Sequence, residues 1–115
     1  VKKIYHLATC STCQRIIGEI NSNDIFELQN IKEQHITASE LDQYAKVVGG
    51  YEALFNKRAM KYRSMGLNKM VLTEKEFRKH ILAEYTFLKR PLVIIDKQVF
   101  AGNAKRTVQA IKEAL

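Results

Sequence analysis

The sequence predicts an α/β fold, a mixed sheet whose two halves are separated by a run of helices. Three observations predict it. A short apolar run near the start leads through Cys10-Ser11-Thr12-Cys13 into a helical pattern. Far along the chain, Leu92-Val93-Ile94-Ile95 is continuously apolar, as expected of a strand buried on both faces. Between them, two Thr-x-x-Glu patterns mark helix starts.

Taken in order, Ile4 to Leu7 reads as the first strand. A helix follows from about Thr12 to Ile20, with Ile16, Ile17 and Ile20 on one face. Asn21-Ser22-Asn23-Asp24 is a turn, and Ile25-Phe26-Glu27-Leu28 alternates as a second strand. In Thr37-Ala38-Ser39-Glu40 the Thr hydroxyl can take one unpaired helix amide while Glu40 reaches back to another. Leu41, Tyr44, Ala45 and Val48 then recur at helical spacing, and Gly49-Gly50 ends the helix. Residues 51–55 form a short helix or turn, and 56–66 short helical pieces. Thr73 to Glu76 repeats the capping pattern and opens a helix to about Leu82, with Phe77, Ile81 and Leu82 inward. Asp96-Lys97-Gln98 turns the buried strand back into Val99-Phe100-Ala101, a hairpin that Gly102 ends. Ala104 to Leu115 closes the chain as a helix with Val108, Ile111 and Leu115 on one stripe. The order β-α-β, helices, β-β-α is the thioredoxin-like topology with a helical insertion at about 37–88.

The chain has 115 residues, enough for one domain with a real core, and we read 1–115 as that single domain. It is 46% hydrophobic and 27% charged, ordinary for a globular protein. No apolar run approaches the ~20 residues needed to span a bilayer. The start carries no signal-peptide pattern, so a reducing, cytoplasmic setting is expected. The net charge of +7 attracts anions, but the basic residues are scattered. No arm or helix collects them, so direct nucleic-acid reading is not expected. Nothing calls for an obligate oligomer, and a monomer is expected.

Both cysteines lie in the one C-x-x-C. At a strand-to-helix junction that spacing reads as a redox motif. Unpaired amides and the helix dipole stabilise a thiolate at a helix start, and the thiolate is the reactive species. Cys10, just before the helix, is the nucleophile candidate. Cys13, one turn in and on the same face, suits a resolving role. A zinc site needs more than two ligands, and His6, His35 and His80 do not follow a finger spacing, so no metal is expected. His6 is either a thiolate stabiliser or an ordinary half-buried strand residue. In this topology the Arg90-Pro91 bond would be cis, with Pro91 facing the C-x-x-C. Arg90 would then aim a bidentate anion binder at the cysteine.

Together these residues resemble the ArsC/Spx family. The likeness runs from Ile4-Tyr5-His6 and Cys10-Ser11-Thr12-Cys13-Gln14-Arg15, through Ala53-Leu54-Phe55-Asn56-Lys57-Arg58, Tyr62-Arg63 and Gly66-Leu67, to Arg90-Pro91-Leu92-Val93-Ile94. The resemblance implies an arsenate reductase-like oxidoreductase or an Spx-type regulator that binds RNA polymerase. In the reductases the first cysteine attacks arsenate, and glutathione with glutaredoxin completes the reduction. Mapped by motif, Cys10 is that nucleophile, His6 the upstream histidine and Arg90 the arginine before the proline, with Thr12 and Arg58 as further substrate-binding candidates.

Two departures stand out. The reductases place further arginines where this chain has Asn56 and Gly102-Asn103, leaving Arg58 and Arg106 nearby. Missing guanidinium clamps should cost several kcal/mol of oxyanion binding, at ~1.5–3 kcal/mol per charged hydrogen bond. Cys13 also replaces the usual serine, and a C-x-x-C is what Spx-type proteins use as a redox switch. The reading is therefore a thiol-dependent reductase acting on a small oxyanion or a disulfide. No cofactor is bound, and glutathione with glutaredoxin, or thioredoxin, donates electrons. The alternative is a redox-sensing regulator of RNA polymerase.

Overall fold

Strand β1, Lys2–His6, lies inside a four-stranded sheet, and its last three residues are buried. In the computed structural model, which describes residues 1–115, it belongs to the first of two units: Val1–Gln34 with Arg90–Leu115, and His35–Lys89. The remaining elements of the first unit are α1, Ser11–Ile20, β2, Glu27–Asn30, β3, Leu92–Ile95, β4, Gln98–Ala101, and α5, Lys105–Ala114.

The sheet order is β2-β1-β3-β4. Strands β1 and β2 are parallel, which requires a crossover, and α1 supplies it. The other two pairings are antiparallel. All four residues of β3 are buried, as its unbroken apolar run predicts. Asp96 takes φ 53 in the two-residue turn to β4, a conformation Asp tolerates better than most residues. Ile4, Ile16, Ile20, Phe26, Val93, Ile95, Val108 and Ile111 form the core of this unit, drawn from the sheet, α1, α5 and, with Phe26, the stretch before β2. Truncating any fully buried member, such as Ile16, should cost about 2–5 kcal/mol.

Two sequence expectations need correction here. The second strand is Glu27–Asn30, two residues later than the alternation of residues 25–28 indicates. Asn21 Oδ1 accepts from the Phe26 amide at 3.0 Å, so that stretch is tied to the preceding turn while Phe26 enters the core. Ile25 and Leu28 are left exposed. Leu115 does not belong to the buried stripe of α5: the helix ends at Ala114, which packs on the core, and Leu115 is half exposed.

The second unit contains α2, Ala38–Val48, α3, Met60–Ser64, and α4, Glu74–Ala83, with short 3-10 turns at Glu52–Leu54, Leu67–Lys69 and Tyr85–Phe87. Both predicted capping boxes are complete. Thr37 Oγ1 accepts from the Glu40 amide while Glu40 Oε1 accepts from the Thr37 amide, and Thr73 and Glu76 do the same. Gly49 closes α2 with φ 93, which costs glycine no Cβ clash. Phe55 is the centre of an aromatic cluster with Tyr62, Phe77 and Phe87. Helices α2, α3 and α4 and the three 3-10 turns all fall within this unit. No helix of the chain is long and apolar enough to cross a membrane.

Candidate active site

The site is built at the C-terminal end of β1, where the chain must turn before α1. The Cys10 amide donates to the Leu7 carbonyl at 2.9 Å and closes that turn. Cys10 is the N-cap of α1 in an extended conformation, and its carbonyl accepts the first helical hydrogen bond, from the Gln14 amide, at 3.1 Å. Its side chain makes no capping hydrogen bond, and the first turn carries no acidic residue. The positive end of the helix is thus not neutralised by a carboxylate.

Both cysteines are free thiols, Cys10 partly exposed and Cys13 fully buried. Burial pushes the Cys10 thiol up. The Cys13 amide, the Cys13 thiol and the Arg90 guanidinium together outweigh it and hold Cys10 below the ordinary thiol value of 9.0. Cys13 goes the other way, to about 11, because burial and the adjacent Cys10 sulfur both favour its protonated form. Two thiols three residues apart are therefore split into one poised to ionise and one that keeps its proton.

Arg90 precedes a cis peptide bond to the buried Pro91, immediately before β3. Its guanidinium is one of the groups that favour the Cys10 thiolate, by hydrogen bond and by charge. The structure thus brings Cys10, Cys13 and Arg90 together. Thr12 stands half-buried in the first turn of α1.

His6 is buried at the end of β1, and burial lowers its pKa below 6.5, with Glu33 acting in the opposite sense. The principal influences on Cys10 come from Cys13 and Arg90 rather than from His6. The His6 ring instead meets Gln14: the Gln14 side-chain nitrogen lies 3.3 Å from His6 Nδ1 and donates to the Leu7 carbonyl at 3.2 Å. In the sequence Gln14 stands within the Cys10–Arg15 run with no role of its own assigned. Its signal was positional, since a polar side chain four residues after Cys10 lies over the same turn of helix.

Arg58 belongs to the other unit, where its side chain is exposed on the turn before α3. Asn56, which stands where the reductases are expected to carry an arginine, is occupied with backbone. Its Nδ2 donates to the Thr86 carbonyl at 3.3 Å and its Oδ1 accepts from the Arg58 amide at 3.1 Å. Asn103 and Arg106 are exposed in the first unit, Arg106 in the first turn of α5. No group of three or more His, Cys, Asp or Glu side chains gathers to hold a metal.

The sequence profile of the ArsC family matches residues 5–111. The chain is similar to the global transcriptional regulator Spx 2 of Bacillus anthracis, 24% identical over 101 residues that cover 86% of this chain and 77% of that one. An ArsC family related protein from Bacteroides fragilis has the same fold, with a TM-score of 0.82 at 23% identity over 96% of this chain and 97% of that one. An arsenate reductase from Vibrio cholerae superposes with a TM-score of 0.80 at 18% identity, covering 99% and 97%.

Proposed function

The chain belongs to the ArsC family, and on that premise we propose that it is a thiol-dependent reductase with Cys10 as nucleophile and Cys13 as resolving thiol. The opposite displacement of the two thiols carries this reading. With a disulfide substrate, the Cys10 thiolate attacks one sulfur and the S–S bond breaks. The other half leaves as a thiolate and takes up a proton. Cys13 then attacks the mixed disulfide at Cys10, loses its proton and releases the second thiol. The substrate gains two electrons, and the protein is left with a Cys10–Cys13 disulfide that glutathione with glutaredoxin, or thioredoxin, reduces.

The high pKa of Cys13 fits this order. Burial is its largest cause, but two others, a hydrogen bond and charge from Cys10, depend on the Cys10 thiolate. Once Cys10 is consumed in a mixed disulfide those two vanish, while the Leu7 backbone and Arg90 still favour the Cys13 thiolate. The first step thereby removes two of the causes that keep Cys13 protonated. Arg90, and Thr12 at the start of α1, would orient an anionic substrate. His6 completes the proposed site from the end of β1. A reducing cytoplasm suits a resting dithiol.

Arsenate is the second substrate choice, after a glutathione mixed disulfide. The first unit supports that order, because Arg90 is the one guanidinium among the groups that act on Cys10, against a doubly charged oxyanion. The test is NADPH oxidation driven by arsenate or by a glutathione mixed disulfide, with glutathione, glutathione reductase and glutaredoxin, or with thioredoxin and its reductase. Turnover that disappears in Cys10→Ser supports the reading, and Cys13→Ser then identifies the resolving thiol. Absence of turnover with every pair sinks it.

The likeness to Spx 2 favours a second reading, a redox-sensing regulator that binds RNA polymerase. There the Cys10–Cys13 disulfide would be the signal rather than an intermediate. Polymerase binding that differs between the oxidised and reduced chain, without turnover in the coupled assay, would select it.

A further inference from the structure

We propose that Gln14 is a positioning residue that holds His6 as the neutral tautomer with its proton on Nε2. The amide orientation is fixed by a neighbour that can only accept. The same Gln14 nitrogen reaches the Leu7 carbonyl at 3.2 Å and His6 Nδ1 at 3.3 Å. Were the amide turned over, its oxygen would face the Leu7 oxygen and two acceptors would oppose each other. The nitrogen therefore faces Leu7, one N–H is directed to the carbonyl, and the other meets His6 Nδ1. A donor at that position makes Nδ1 the acceptor, so the ring proton sits on Nε2. An imidazolium would place a second N–H against the Gln14 N–H, so the doubly protonated ring is disfavoured as well. Burial of His6 acts in the same direction. Glu33, on the turn after β2, acts in the opposite one.

The consequence for the site is specific. With Nδ1 engaged, His6 can neither take the Cys10 proton at that nitrogen nor stand beside the thiolate as a cation. Thiolate formation rests on Cys13, the open start of α1 and Arg90. Gln14 has a second positioning effect, because the Leu7 carbonyl it donates to also holds the Cys10 amide at 2.9 Å. One side chain thus ties the end of β1 and the turn that carries Cys10 to the start of α1. What this means for catalysis rests on the Cys10 reductase reading; the tautomer does not.

The experiment is long-range 15N–1H correlation on the labelled, reduced protein, with His6→Asn to identify the His6 signals among the three histidines. Wild type is expected to show a protonated Nε2 and an unprotonated Nδ1. Gln14→Met keeps the length of the side chain and removes the donor. It should lower the Nε2–H preference roughly fivefold, the worth of one ordinary hydrogen bond. Gln14→Glu places an acceptor beside the ring and should move the proton to Nδ1 and raise the His6 pKa. A wild-type spectrum with the proton on Nδ1 overturns the proposal, as does an unchanged tautomer in both folded variants. In parallel, the rate of Cys10 alkylation against pH should show no inflection at the His6 titration seen by NMR. A protein without turnover but with these spectra would lose the reductase reading and keep the Gln14 assignment.

Discussion

The two long helices of the second unit and α1 of the first begin in different ways, and the difference separates structure from chemistry. Helices α2 and α4 are sealed. Each starts at a threonine whose hydroxyl and companion glutamate pair with backbone amides of the first turn, which holds one acidic residue in α2 and two in α4. Helix α1 starts at Cys10 with no side-chain cap and no acid. Helix α5 also starts open, at Ala104, but it carries no thiol there. An ordinary cap at α1 would be worth about 1 kcal/mol of stability. The chain forgoes it and places a sulfur where the helix dipole, the Cys13 amide and Arg90 favour the charged form. Where the sealed helices use their terminal amides to hold structure, α1 uses its own to lower a thiol pKa.

The largest break in this contrast is to remove the sulfur. In Cys10→Ser, rapid alkylation by iodoacetamide at neutral pH should disappear, because the remaining thiol, Cys13, is fully buried, and burial, the largest cause that favours its protonated form, persists without the Cys10 sulfur. Persistent fast labelling of this variant would show that the reactive thiol is Cys13. Next in size is Arg90→Met, which removes the cation and keeps much of the side-chain bulk. Each unit by which the Cys10 pKa then rises lowers the thiolate fraction about tenfold at pH values below it. The alkylation midpoint should move towards 9.0 from its lower wild-type position. An unmoved midpoint would assign the effect to the helix start and the Cys13 thiol.

A smaller change sharpens the comparison by making α1 resemble α2. Ser11 is the exposed first residue of the helix. Ser11→Asp adds a carboxylate to the end that Cys10 uses, so the helix gains stability while the thiolate meets a like charge. Thermal stability should rise slightly and Cys10 alkylation at pH 7 should slow several-fold. The converse variants are Thr37→Ala and Thr73→Ala. Each removes a complete capping box and should cost about 1 kcal/mol by urea denaturation. Neither should move the alkylation profile of Cys10, and a shift there would undo the division between structural and chemical helix starts.

The sealed helices could be read from sequence because a capping box is local: Thr and Glu three residues apart contain both partners. The C-x-x-C at a strand-to-helix junction was local in the same way, and so was the buried run of β3. What could not be read needs partners distant in sequence or a register. The shift of β2 is decided by its pairing with β1 and by the hold of Asn21 on Phe26. The pairing of Arg90 with Cys10 joins residues eighty positions apart, and only the topology implied by the resemblance indicated it. Gln14 lies within the Cys10–Arg15 run, but its role appears only when the His6 ring and the Leu7 carbonyl are both in place. Asn56 looked like a lost arginine, and the structure gives it a positive task in holding the turn before α3.

The smallest effect concerns the charge that links the two sealed helices. Asp42 of α2 accepts from Arg78 of α4 at 2.7 and 3.2 Å and from the Tyr51 hydroxyl at 2.6 Å. The Arg78 and Tyr51 hydrogen bonds hold the Asp42 carboxyl at about 2, below its ordinary 3.8. A carboxyl lowered in the folded state contributes stability that is complete above the unfolded value and lost as pH falls through the folded one. The contribution of Asp42 should therefore fade between about pH 4 and pH 2, and Asp42→Asn should flatten that part of the acid limb. Because the pair is well exposed, solvent screening keeps the effect modest. Urea midpoints measured from pH 6 down to pH 2 on both proteins give the comparison. Convergence of the two curves at the acid end would place the charge where the geometry does. Parallel curves would mean that Asp42 holds α2 and α4 by hydrogen bonds that its amide counterpart reproduces.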